Sequence, residues 1–144
     1  MKYALIPLAL FLFLASCQKD EPLEEELPTS GITDSTINDS TKMMLLADFE
    51  DRVHPTSGQA RILKINDSYF LELKDFKTDN GPALKVYLSQ EENPKNFVDL
   101  GDLKSTSGTF NYEIPSNVDV HDYPFAIIWC ERFSVLFGSA NFQP

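Results

Sequence analysis

Cysteine is scarce: the 144 residues contain two, Cys17 and Cys130, too few for a disulfide-stapled scaffold or a four-ligand zinc site. Basic residues are also scarce, 12 against 22 acidic ones, for a formal net charge of -10. Phosphate affinity comes mainly from counterion release by Lys and Arg, so no nucleic acid is expected as a partner. Apolar runs long enough to cross a bilayer are missing beyond residue 17. A Gly-x-Ser-x-Gly elbow, a His-Glu-x-x-His motif and a glycine-rich phosphate loop are all lacking, which gives no support to a serine hydrolase, a zincin or a nucleotide-dependent enzyme. His54 and His121 have no ligand spacing, and Asp79-Asn80, Asp119 and Asp122 lack the oxygen-ligand order of an EF-hand loop, so no metal site is assigned. The remaining composition, 42% hydrophobic and 24% charged, is that of one globular domain with appendages.

The N-terminus carries the most specific pattern. Lys2 gives a positive start, Tyr3 to Leu14 form an apolar run, and small residues follow, as in a secretory signal peptide. Leu14-Ala15-Ser16-Cys17 resembles the lipobox of bacterial lipoproteins, in which the cysteine is acylated, with palmitate among the chains, and becomes the first mature residue. Residues 1–17 are therefore read as a lipoprotein signal peptide, and the membrane is a partner through lipid on Cys17. Each buried methylene contributes about 0.8 kcal/mol, so several acyl chains anchor stably where one does not. Gln18-Lys19-Asp20-Glu21 is similar to the tract that sends some lipoproteins to the outer face of the outer membrane. The expected location is the outer membrane with cell-surface display, the alternative being a periplasm-facing lipoprotein. Residues 18–42 hold seven acids, two lysines, two prolines and repeated Ser/Thr, too little apolar surface to offset ordering entropy. They are expected to form a disordered acidic tether with a reach of roughly 25 to 30 Å.

Residues 43–144 differ in kind: fourteen aromatic residues fall among them. Leu84, Val86 and Leu88 alternate with Lys85, Tyr87 and Ser89; Phe110, Tyr112 and Ile114 alternate with Asn111 and Glu113; Tyr69, Leu71 and Leu73 repeat the pattern. A period of two predicts half-buried strands. Turn formers recur at 54–58, 66–68, 79–82, 105–108 and 115–124. Phe125 to Cys130 is continuously apolar and predicts a central strand covered on both faces. After Glu131-Arg132, the residues Phe133, Val135 and Phe137 resume an alternation, either as an adjacent strand or beyond a bulge. The expected fold class is all-β, a single antiparallel β-sandwich of eight to ten short strands.

Taken in order, His54-Pro55-Thr56-Ser57-Gly58, Leu73-Lys74-Asp75-Phe76, Gly81 to Ser89, Leu100 to Lys104, Ile128-Trp129-Cys130 and Phe133 to Gly138 resemble the DM-thirteen domain, a small β-rich extracytoplasmic module. The resemblance implies a redox or electron-transfer accessory role. In that family the cysteine after the tryptophan has been proposed to serve as a free redox thiol or as a ligand to a prosthetic group such as haem. Those roles fall here on Cys130, with Trp129 as its neighbour. The chain has no Cys-x-x-Cys-His for covalent haem, so haem would be held non-covalently, and a separate redox protein would supply or take electrons.

Two readings of Cys130 stay open on sequence alone. As a redox thiol it needs cationic neighbours and access; Arg132 is near in sequence, and His54 or His121 could be brought near by folding. As a small hydrophobe it is inert core, and the domain is then a non-catalytic, surface-displayed binding module for a protein, glycan or small ligand. Either way, independent turnover is not expected. Phe70, Tyr87 and Tyr123 are candidates for an aromatic platform if exposed, and Glu91-Glu92 reads as the coat of a solvent-exposed loop.

Overall fold

The computed structural model describes residues 41–143; Cys17, the signal peptide and residues 18–40 of the tether lie outside the described residues. Eight strands follow in order: β1 (Thr41–Asp51), β2 (Thr56–Ile65), β3 (Ser68–Thr78), β4 (Leu84–Ser89), β5 (Phe97–Asp102), β6 (Ser107–Ile114), β7 (Phe125–Cys130) and β8 (Val135–Asn141), with one 3₁₀ turn at Val120–Asp122. β1 takes in Thr41 and Lys42, the last two residues expected in the tether. All pairings are antiparallel, and the strands form one sheet in the order β5-β4-β7-β8-β1-β2-β3-β6. The strand count and class agree with the alternation in the sequence.

The sheet folds over on itself because β1 serves both halves. Its first part, Thr41 to Asp48, pairs with β2, and its last three residues, Phe49 to Asp51, pair with β8. The two edges meet through a side chain rather than a ladder: the Tyr112 hydroxyl of β6 accepts the Lys104 N–H at 2.9 Å and donates to the Asp102 carbonyl of β5 at 3.4 Å. Burial raises the pKa of that phenol first of all, the Lys104 N–H opposes the rise and Asp102 adds to it. The result is a barrel-like sandwich with one core.

That core takes the inward residue of each alternating pair: Ala60 and Ile62 from β2, Leu71 and Leu73 from β3, Val86 and Leu88 from β4, Ala126 and Ile128 from β7. Burying a Leu or Ile side chain contributes about 1.5–3 kcal/mol, so these strands are held chiefly by their inner face. Asn66 takes a positive φ of 54° in the Asn66-Asp67 turn between β2 and β3, where a two-residue hairpin loop needs the left-handed region. Gly58, at φ 105°, marks a bulge against β3; a Cβ there would lie 2.7 Å from the Lys74 carbonyl oxygen, so only glycine fits.

Two local expectations are corrected. Phe133 does not start an inward alternation: it stands in the turn between β7 and β8 and is 64% exposed. The alternation resumes only at β8, after Ser134 reverses the chain at φ 53°. Residues 56–58 are not loop but the first residues of β2. Their turn character lies in the Gly58 bulge.

Candidate functional site

β7 holds the residues singled out in the sequence, and it separates them. Ala126, Ile128 and Cys130 point into the core, so the strand's alternation sends Ile127 and Trp129 to the outer face. Cys130 pairs with Leu84 of β4 and Val135 of β8, has no exposed surface, and carries a free thiol. Its Sγ–H donates to the Pro82 carbonyl at 3.0 Å, a bond that only the protonated thiol can make.

The segment lying on that thiol is the β3–β4 loop. It is pinned at both ends. Asp79 faces His54 Nδ1 at 3.1 Å, and the His54 ring stacks on Phe137 with centroids 3.9 Å apart. Gly81 packs so closely on Phe137 that a Cβ would come within 2.7 Å of the ring tip. Ala83, at φ 56°, turns its carbonyl to the Glu131 N–H at 3.0 Å. A groove of about 630 Å³ runs beside this loop, lined by residues that include Asn80, Gly81, Asp102 and Lys104 but neither Cys130 nor Trp129.

The outer face has a covered row and an open row. In the covered row Tyr87 opposes Ile127 and Ile127 opposes Ser139, all three almost without exposure. The β4–β5 loop returns over them: the Glu92 carboxylate accepts from Ser139 Oγ at 2.7 Å and from Arg52 Nε at 2.6 Å, and Arg52 also reaches Glu50 at 3.0 Å. Glu92 therefore does more than coat a loop. The Ser139 hydrogen bond and then Arg52 hold its carboxyl below the ordinary range, against the upward push of burial. Burial lowers the Arg52 pKa, but the hydrogen bonds and charges of Glu92 and Glu50 outweigh it and leave the value raised.

In the open row Lys85 opposes Trp129 and Trp129 opposes Leu136, with Trp129 and Leu136 partly exposed. Val53, 66% exposed, continues the row because its N–H donates to the Leu136 carbonyl at 3.2 Å. Beside the covered row Phe97, 45% exposed, stacks on Tyr87 with centroids 4.3 Å apart; it opposes Ser89, whereas the β5 partner of Lys85 is Asp102. Lys85 bonds Asp102 at 2.7 Å with Asp99 at 3.9 Å. The Asp102 hydrogen bond raises the Lys85 pKa against desolvation, and Asp99, Asp102 and Glu131 add to the rise. Burial, then Asp99 and Glu131, raises that of Tyr87.

Cys130 and Trp129 thus share a strand but lie on opposite faces of it. A thiolate ligand to haem must face a cavity that admits the macrocycle, and the arrangement does not fit one: Sγ is enclosed and bonded to Pro82. The cations considered for a reactive thiol are placed elsewhere. Arg132 is exposed in the β7–β8 turn, His54 faces Asp79, and His121 is exposed in the 3₁₀ turn. Among the described residues no three His, Cys, Asp or Glu side chains converge as a metal site. Of the aromatic candidates, Tyr87 is buried under Phe97, while Phe70 and Tyr123 are partly buried. Phe97, Val53 and Leu136 were not singled out in the sequence, although parity with Trp129 along paired strands could have found Leu136.

Fold and site together define a small antiparallel β-sandwich module with an enclosed thiol on one face of β7 and an aromatic, acid-edged row on the other. Residues 48–142 match the family described as electron transfer DM13, and the chain belongs to that family, the DM-thirteen family of the resemblance. No curated protein and no solved structure matches the chain.

Proposed function

We propose that the protein is a lipid-anchored cell-envelope accessory of electron transfer, which acts by holding a separate redox protein rather than by carrying electrons on Cys130. Family membership supports the electron-transfer role. The observation that carries the division of labour is the state of Cys130: fully enclosed, with its S–H committed to Pro82, whereas thiol exchange requires an accessible thiolate. Anchoring is read from the Leu14-Ala15-Ser16-Cys17 pattern, and display on the outer membrane surface from Gln18-Lys19-Asp20-Glu21.

The test compares membranes from cells that have the full chain, lack it, or carry Cys130→Ala. Electron flow to an external acceptor falls on deletion and persists with Cys130→Ala. Flow that is indifferent to deletion overturns the electron-transfer role. Labelled palmitate enters the chain but not Cys17→Ala, and protease added to intact cells removes the domain; protection of the domain in intact cells would place it on the periplasmic side.

A second reading keeps Cys130 as the redox centre. The loop 79–83 favours it, because this one segment carries both the thiol's hydrogen-bond partner, Pro82, and the groove-lining residues Asn80, Gly81 and Ala83, and its movement would bring Sγ toward solvent. Loss of electron flow with Cys130→Ala at unchanged stability would establish this reading instead.

A further inference from the structure

We propose that the open row on the outer face of β5, β4, β7 and β8, centred on Trp129, is the docking surface for a redox protein whose own apolar contact is ringed by lysine or arginine. The inference rests on the electron-transfer reading above and assigns it a place and a partner chemistry.

The first argument is shape. From Asp99 and Asp102 on β5, through Lys85, Trp129 and Leu136, to Val53 in the bend that follows β1, the row crosses four strand spacings, or about 19 Å. That is the scale of the small interfaces of transient redox encounters. Its apolar members differ from scattered surface hydrophobes because the register places them side by side, and the neighbouring row is closed over by Glu92 while this one is left open. Tryptophan is the residue type that most often dominates such contacts.

The second argument is charge. Beside Trp129, Lys85 stands between Asp99 and Asp102, and the adjoining turn adds Glu131 and Arg132, so three acids face two cations and the net local charge is negative. Between residues 41 and 143 acidic residues outnumber basic ones fifteen to ten, so the long-range field has the same sign. Arg52 and Lys95 are engaged by Glu92, Glu50 and Glu91. A second copy meeting through this face would set like charges together. A lysine-ringed partner instead gains a steered encounter, which is how charge around an interface chiefly acts.

The test uses the full chain in non-ionic detergent micelles, titrated with a lysine-rimmed c-type cytochrome as probe, at roughly 20 and 200 mM ionic strength. The triple variant Asp99→Asn, Asp102→Asn, Glu131→Gln is expected to bind about tenfold more weakly at the lower salt, with most of the parent's affinity lost at the higher. Asn at 99 keeps an oxygen for the Gly101 N–H, which bonds Asp99 at 2.7 Å, so the loop is preserved. Trp129→Ala is expected to weaken binding by a similar factor without changing the salt dependence. A control triple on the other half of the sheet, Asp67→Asn, Asp75→Asn, Glu113→Gln, removes as much charge and is expected to change affinity by less than about twofold.

Equal weakening by the control triple, parent-like binding by both Trp129→Ala and the first triple, or a dimer of the chain that Trp129→Ala dissolves would each overturn the docking surface. The two proposals fail separately. If deletion stops electron flow but the first triple binds the probe as the parent does, this surface is wrong and the electron-transfer role stands. If the triple loses the probe while membranes lacking the chain keep their electron flow, the surface stands and the role falls.

Discussion

The two faces of β7 place the adjacent residues Trp129 and Cys130 in different environments. On the inner face Ala126, Ile128 and Cys130 are fully enclosed, and the thiol's one polar bond goes to the carbonyl of a pinned loop. On the outer face Ile127 is buried between Tyr87 and Ser139, while Trp129, two residues on, is left partly open between Lys85 and Leu136. Adjacency in sequence therefore says little about shared chemistry in a strand, because a period of two divides neighbours between environments. A Trp-Cys pair that reads as one site is two: a packing thiol and a surface aromatic.

Substitutions along β7 and its cover sharpen this contrast. Ile128→Ala leaves a cavity among residues with no exposure and should cost about 2–5 kcal/mol in a urea titration, whereas Trp129→Ala should cost about 1 kcal/mol or less. Costs of equal size would mean that the outer face is packed as core. Gly81→Ala pushes a methyl against the tip of the Phe137 ring, on which His54 stacks. It should destabilise by about 1–3 kcal/mol and speed thiol labelling by loosening the loop on Cys130. Cys130→Ala should cost about 1–2 kcal/mol through its small cavity and leave probe binding unchanged.

The smallest effect is electrostatic. The carboxyl of Glu92 is held low by Ser139 and Arg52, so its contribution is complete above the ordinary carboxylate range and is lost as pH falls through the lowered folded-state value. Glu92→Gln should therefore cost less than about 1 kcal/mol near neutral pH and less still near pH 3, measured as the difference in urea midpoint between variant and parent. A penalty that grows on acidification would contradict the network.

Much of the fold was legible because it depends on a local period. Leu84, Val86 and Leu88, or Leu71 and Leu73, declare their inner face within a few residues, and Asn66-Asp67 declares its turn. The central position of β7 also followed from its unbroken apolar run. What was not legible depends on returns of the chain. Glu92 reaches Ser139, the neighbour of Ile127 across the strands, over 47 positions. Phe133 looks like the next member of an alternation until the chain reverses at Ser134. Cys130 was identified as the residue to weigh, but its enclosure comes from Pro82, 48 positions away, which no window of sequence contains.

The most direct test of this division between a packing thiol and a surface aromatic is alkylation of Cys130 in the folded full chain, followed on the peptide that contains it by mass spectrometry across increasing urea. The account predicts protection in native buffer, with modification rising only along the global unfolding transition. Rapid modification in native buffer at full stability would contradict it and return the redox centre to Cys130.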